Sequence, residues 1–406
     1  MIKKKTAVIG GGASGLTAAY FASEQSSVTL FEKQKKIGRK ILVTGNGRCN
    51  ITNKNINSMR YHGHNPEFTE SVFSAFGFIE TELFFNKIGI PLIEEEDGKL
   101  FPASLQASII PKVFEYELVR RNVDIRLHRK IEKIIPDNNR FRLITAGMEE
   151  EIFDSVILAC GSPAFPAAGS SRSGYELAES LGHKIIEPFP VILPINIPLK
   201  ALHTLQGIKW DCGIKVFNRE TCTAESCDEL LFTAYGISGP ATLKVSRSVN
   251  ELVLAGKTPD ISLDFFPSLN RDDLEQVLNL LFADKNKKLS FALLGVLKER
   301  MPEVILSISG IDHEKRCGSL SGNDMKKILT ILKDFRITPG KPRGFDEAVA
   351  AAGGVPVNEI DPSTMESRII KNLFITGELL DIDGDSGGFN LQFAWSTGAI
   401  AGMSQK

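Results

Sequence analysis

Near the start of the chain an apolar run, Thr6-Ala-Val-Ile9, breaks into Gly10-Gly-Gly-Ala-Ser-Gly15, and an alanine-rich helical pattern follows over Leu16–Glu24. A second β-rich run, Ser27-Val-Thr-Leu-Phe31, ends at Glu32. Strand, glycine turn, helix and strand in that order predict a βαβ unit, whose short crossover makes the two strands parallel. The spacing Gly10-x-Gly12-x-x-Gly15 gives each glycine a separate task. Gly10 permits a tight turn out of the strand, Gly12 lets a pyrophosphate approach the backbone, and Gly15 lets the helix lie close to the sheet. The free N–H groups of the first helical turn, at Ala13, Ser14 and Gly15, and the positive end of the helix dipole then face the phosphates. Glu32, with Lys33 beside it, closes the next strand, where a carboxylate accepts both ribose hydroxyls and repels a 2′-phosphate. A dinucleotide site is the expectation.

The first turn serves NAD and FAD alike, and three later features favour FAD. Gly38-Arg-Lys-Ile-Leu-Val-Thr-Gly-Asn-Gly-Arg-Cys-Asn50 follows Glu32 where a simple NAD domain starts its next helix. It offers Arg39, Lys40 and Arg48 as charges, Thr44, Asn46 and Asn50 as hydrogen-bonding groups, Gly45 as a turn, and Cys49 as a thiol more readily read as packed than as reactive. The strand Val156-Ile-Leu-Ala159 ends in small residues, Ala159, Cys160 and Gly161, that let backbone pass close beside a dinucleotide. Phe374-Ile-Thr-Gly-Glu378 ends another strand and leads through Asp381 into Gly384-Asp-Ser-Gly-Gly-Phe-Asn-Leu-Gln392 and an apolar helix. A strand-end acid there suits ribityl hydroxyls, and a helix N-terminus suits the charge that builds on a reduced flavin ring.

On these residues the chain resembles the BaiN-like family of bacterial flavoproteins, labelled NAD(P)/FAD-dependent oxidoreductases or aminoacetone-oxidase-family enzymes. The resemblance runs along almost the whole chain, through Gly10–Leu16, Gly38–Asn53, Leu158–Tyr175, Phe232–Pro240, Gly344–Gly354 and Thr376–Gly398. It implies an α/β fold: a Rossmann-like, glutathione-reductase-like FAD-binding domain with an inserted β-barrel plus helical domain. It implies cofactor contacts at Glu32, Arg39, Lys40 and the loop through Asn50, at Ile131, where a strand backbone meets the adenine, and at Gly377, Glu378 and Gly388, Asn390, Leu391 and Gln392. Gly-Glu378 stands where wider flavoprotein families carry Gly-Asp, so Asp381 is the alternative ribityl acid.

Composition narrows the class further. The formal net charge of −1 gives no reason to expect a nucleic-acid or membrane partner. The lysines at 3–5 precede too short an apolar run for an export signal, and no stretch is long enough to span a bilayer. The six cysteines include no C-x-x-C pair, so neither a disulfide framework, a zinc site nor a thiol redox pair is expected, and a cytoplasmic location fits reduced thiols. His62 and His64 read as solvated, and no metal is expected.

The pattern assigns residues 1–190 and 335–406 to a discontinuous FAD-binding domain, 191–270 to a β-rich barrel-like insert, and 271–334 to a helical subdomain. Four prolines between Pro188 and Pro198 mark the crossing. Helices are predicted over Phe68–Ile88 and Leu105–Arg121, and a small meander over Asp124–Leu127, Lys130–Ile135 and Phe141–Thr145. Tyr235 and Ser238 are candidates to cap a substrate pocket, against a plain turn. The predicted activity is hydride transfer between a small organic substrate and flavin. With one Rossmann turn only, NAD(P)H enters as a transient donor. An oxygen-using amine oxidase and a non-catalytic FAD module are the alternatives. No catalytic side chain and no oligomeric state is readable.

Overall fold

The computed structural model describes residues 3–405 and divides into two compact units. One joins the segment up to Pro190 with that from Ala348 onward; the other is Val191–Glu347.

The first unit is built on a five-stranded, wholly parallel sheet. Its strands are β1 (Lys5–Ile9), β2 (Ser27–Phe31), β3 (Asp124–Arg126), β4 (Ser155–Leu158) and β5 (Leu373–Ile375), in the order β5-β4-β1-β2-β3. Registers such as Val8↔Ile157, Val8↔Leu30 and Ile157↔Phe374 put the sheet's last strand in chain order two places from its first, with β4 between them. β1, β2, β4 and β5 are almost wholly buried, which is why they read as continuous apolar runs rather than alternating ones, whereas β3 is the partly exposed edge strand. Helix α1 (Ala13–Ala22) follows β1, and α2 (Phe389–Met403) closes the chain. The two helices lie so close that a Cβ at Gly398 would stand 2.2 Å from the Ser14 carbonyl oxygen, and one at Gly402 2.6 Å from that of Ala18.

Three expectations for this unit need correction. Asp124–Arg126 joins the parallel sheet beside β2, directly after helix Ile109–Arg120 in the crossover that separates the two strands. The meander takes Glu150–Phe153 as its third strand instead, after Ile131–Asp137 and Arg140–Thr145. The region 68–88 forms two helices, Phe68–Ala75 and Phe78–Lys87, because Gly77 caps the second, its N–H donating to the Glu80 carboxylate at 2.9 Å.

The second unit has one hydrophobic core shared by a six-stranded sheet and its helices. A 15-residue helix, Pro240–Leu254, lies within the stretch expected to be β-rich, and buries Ala241, Val245 and Val249. Phe335–Ile337 pairs with Asp260–Asp264 in this sheet, so the chain returns to the first unit at Ala348 rather than near 335. Tyr235 stacks under the Arg343 guanidinium, 3.8 Å from the ring centre. Among the described residues no helix is long and apolar enough to cross a membrane.

Candidate cofactor site

The parallel sheet places four strand ends on one edge. Gly10 N–H donates to Phe31 O at 2.8 Å, Ala159 N–H to Ile9 O at 2.9 Å, and Thr376 N–H to Leu158 O at 3.0 Å. Gly10, Glu32, Ala159–Gly161 and Gly377–Glu378 therefore share the carboxyl edge. The chain leaves β1 toward β2 on one side, while β4 flanks it on the other, which makes this edge a topological switch point.

The glycine turn shows which positions the protein itself demands. A Cβ at Gly15 would fall 1.8 Å from the Gly10 carbonyl oxygen, and one at Gly10 2.4 Å from that of Ala159. Gly12 is different. Its backbone (φ −85°, ψ −170°) suits any residue, and a Cβ there would meet nothing within 4 Å. Neither strain nor packing asks for glycine at 12, and the side left open is at the N-terminus of α1. That is the cradle a pyrophosphate needs.

Glu32 serves the turn directly: its Oε2 accepts the Gly11 N–H at 2.8 Å and its Oε1 the Gln34 N–H at 2.7 Å. A carboxylate has about four acceptor positions, so both oxygens keep capacity for a ligand hydroxyl. Lys33 turns to the Ser171 hydroxyl, and burial pulls its ammonium below the usual lysine range. Arg39 bonds Gln34 and the Ala167 carbonyl. Lys40 pairs with Glu378 at 2.7 Å, and Ser162 donates to the same Glu378 oxygen at 3.2 Å. This ion pair ties the early loop to the late strand end at the carboxyl edge.

The rest of the loop is partly engaged in its own fold. Thr44 donates to the Ile41 carbonyl, Gly45 accepts from the Arg48 N–H, and Asn46 is exposed. Arg48 pairs with Glu95 at 2.9 Å and lies over the Phe101 ring. Cys49 is fully buried and its thiol is pushed up to about 12 by desolvation, so it is a packed thiol and not a nucleophile. Cys160, also pushed up to about 12 by burial, donates to the Ile9 carbonyl. Asn50 is buried beside α2, and its Oδ1 has no hydrogen-bond partner. Ile131 is buried at the start of its meander strand, just past Arg129, whose N–H bonds the Glu32 carbonyl.

Around the α2 N-terminus, Asn390 folds back on Gly384 through both ends of its amide, at 2.9 and 2.7 Å. Leu391 packs against the core. The Gln392 side chain is fully buried: its Nε2 donates to Gly77 O, Thr81 Oγ1 and Ser396 Oγ, and its Oε1 accepts from Thr52. It acts as an interior tether, which leaves only its backbone for a ligand. Asp381 is buried too, and its Oδ2 accepts the His64 N–H at 3.0 Å and faces His64 Nδ1 at 2.8 Å. His62 Nε2 lies 2.9 Å from Asp385. The histidines read as merely solvated thus each hold an aspartate, and the H-x-H spacing carried no signal of either. Ser162 was missed as well.

The donor set fits FAD: an open backbone cradle and acids at two strand ends share the carboxyl edge, and an orphaned buried acceptor stands beside the α2 N-terminus.

A family model described as the HI0933-like protein Rossmann domain matches residues 4–404. The chain is 34% identical over 402 residues, covering 98% of both chains, to the 3-dehydro-bile acid delta(4,6)-reductase of Clostridium scindens. It is 30% identical to the ribosomal RNA dihydrouridine synthase of Escherichia coli, covering 96% of this chain and 95% of that one. Among solved structures, its fold is similar to that of 3-ketosteroid delta1-dehydrogenase from Sterolibacterium denitrificans, with a TM-score of 0.52 at 10% identity over 99% of each chain. The chain belongs to the HI0933-like Rossmann-domain family and is an FAD-dependent oxidoreductase.

Proposed function

We propose that the protein holds one FAD along the carboxyl edge of its parallel sheet and reduces a carbon–carbon double bond conjugated to a carbonyl in a small organic substrate. The carrying observation is the 34% identity to a delta(4,6)-reductase across 98% of both chains. A 3-dehydro, 4,6-unsaturated steroid has its double bonds conjugated to a ketone. The pyrimidine saturated in forming dihydrouridine likewise has its double bond beside a carbonyl. The named relatives therefore agree on the bond and differ on the molecule that bears it.

In this reading the turn Gly10, Gly12, Ala13, Ser14 and Gly15 receives the pyrophosphate. Glu32, Lys33 and the Ile131 backbone bound the adenosine end. Arg39, Lys40 and Ala159–Gly161 flank the middle, and the loop from Thr44 through Asn50 runs from there toward the ring. Lys40 and Ser162 both occupy Oε2 of Glu378, which leaves Oε1 for the ribityl hydroxyls. Asp381, held by His64, is the less available acid. Gly377 precedes Glu378, and Gly388, Asn390, Leu391 and the Gln392 backbone present the α2 N-terminus to the ring. FAD, when bound, supplies the hydride chemistry. The chain orients the substrate and excludes water, and NAD(P)H is the transient electron donor.

The test is the visible spectrum of the purified protein, then anaerobic titration with NADH and NADPH, then reoxidation by a conjugated steroid enone. Bleaching by a nicotinamide with enone-dependent recovery is expected. Bleaching only by an amine would instead make the protein an amine oxidase, and tight FAD with no turnover would make it a binding module. A second reading, reduction of uridine in ribosomal RNA, is favoured by the relatives from Escherichia coli and Haemophilus influenzae at 30% and 29% identity. Recovery with unmodified ribosomal RNA, and not with the enone, would select it.

A further inference from the structure

The N-terminus of α2 is clamped to the chain just after Asn50. Ile51 O accepts the Trp395 indole N–H at 3.0 Å, the Thr52 hydroxyl donates to Gln392, and Asn53 Nδ2 donates to Gly387 O at 2.9 Å. Residues 51, 52 and 53 are each bonded to α2 or to the turn that enters it. Asn50 comes next in line and breaks the pattern. It is 8% exposed, and its Oδ1 is buried without a partner. That oxygen stands 2.9 Å from where a Cβ of Gly388, the N-cap of α2, would be. A buried carbonyl oxygen without a hydrogen-bond partner has given up water for nothing, and leaving it so costs stability. The cost persists here although the surrounding backbone is held by three tethers.

The two features complement each other. A helix N-terminus of 15 residues offers only donors and a positive dipole. The orphaned Asn50 oxygen offers only an acceptor. The pyrimidine edge of a flavin presents the matching alternation, with the N3–H donor set between the acceptors O2 and O4. We infer that Asn50 Oδ1 accepts the N3–H of the flavin ring while the α2 N-terminus serves a neighbouring carbonyl oxygen, so that Asn50 reads the ring rather than the loop it sits in. The inference rests on the FAD assignment and deepens it.

The experiment compares binding of FAD and of FAD methylated at N3 to apo-protein, followed by quenching of flavin fluorescence. Wild-type protein should bind the N3-methyl analogue about tenfold or more weakly, since methylation removes the donor and leaves Asn50 unpaired. Asn50→Ala should bind FAD more weakly and discriminate less than about twofold between the two flavins. Asn50→Asp keeps the acceptor and adds a negative charge, so it should retain the discrimination and lower the flavin midpoint potential. Equal binding of both flavins by the wild type overturns the inference without recourse to any variant. So does an Asn50→Ala protein that discriminates as the wild type does. If the wild type binds neither flavin, the FAD assignment itself fails, which is a different outcome from equal binding.

Discussion

Gly12→Ala should leave the apo-protein folded and unable to retain FAD. The backbone at Gly12 has φ −85° and ψ −170°, an extended conformation open to alanine, and the new Cβ meets no protein atom within 4 Å. Two small effects on stability then oppose each other. Losing a flexible glycine from the unfolded chain stabilises by about 0.4–1 kcal/mol. Replacing glycine with alanine at the N-cap costs about 0.5–1 kcal/mol. The net change should lie within about 1 kcal/mol. Binding has no such cancellation. The methyl group occupies the space over the α1 N-terminus, which costs about 1–3 kcal/mol in overpacking. It also pushes a charged ligand off backbone N–H groups worth about 1.5–3 kcal/mol. The sum corresponds to roughly a hundredfold loss of FAD affinity or more. Absorbance near the flavin band of the purified variant, fluorescence titration with FAD, and a urea melt of the apo form measure the two sides separately. A yellow, fully loaded Gly12→Ala protein would refute the placement of the pyrophosphate. So would an apo form destabilised by several kcal/mol, because the argument that glycine 12 serves a ligand would then be lost.

Gly15→Ala is the matched control: its Cβ would stand 1.8 Å from the Gly10 carbonyl oxygen, so urea melts should show a loss of several kcal/mol even without cofactor. Gln392→Leu leaves Gly77 O, Thr81, Ser396 and Thr52 without their shared partner and should cost about 3 kcal/mol or more by the same assay. Glu378→Gln should weaken FAD retention on dialysis and free Lys40, whereas Asp381→Asn, which alters the His64 contact and not the Lys40 pair, should retain more flavin. Burial raises the Cys49 thiol from its usual 9 to about 12, so the unfolded chain loses that proton first as pH rises. The stabilisation is intact below pH 9 and is lost between pH 9 and 12, and thermal melts should show an alkaline slope in that window that Cys49→Ala flattens.

What the amino-acid sequence makes legible here is local. The glycine spacing, the apolar strands and the small residues at Ala159–Gly161 all work within a few residues, and the glycine turn and the small residues lie on the carboxyl edge of the sheet. What stays hidden is pairing across the chain. Lys40 meets Glu378 at a separation of 338 residues, and His64 meets Asp381 at 317, so no spacing rule connects them. The side chains of Arg48 and Gln392, read as reaching a ligand, are taken up by Glu95 and by the interior. Polarity alone does not tell a ligand contact from a tether. The helix Pro240–Leu254 is poorly legible although Ala241, Val245 and Val249 fall four apart, because the serine- and threonine-rich sequence between them has weak helix propensity. Burial of that stripe against the second unit's core settles its conformation.

The two ends of the chain meet at more than the cofactor edge. Gln405 accepts hydrogen bonds from Thr6 at 3.4 Å and from Ser155, at the opposite end of β1 and β4 from the glycine turn. Gly398 presses α2 against the first turn of α1, and Gly402 presses it one turn further on. Helix α2 is thus pinned at its C-terminal end to the strands that begin the sheet, along its middle to the helix whose N-terminus forms the cradle, and at its N-terminal end to residues 51–53. On the proposed placement the cofactor touches segments from both chain ends, so its binding is coupled to completion of the parallel sheet. A ligand that binds only the completed sheet stabilises it in proportion to the logarithm of its concentration over its dissociation constant. On the proposed placement, added FAD should therefore raise the melting temperature of the unit that includes the segment from Ala348 to the end of α2.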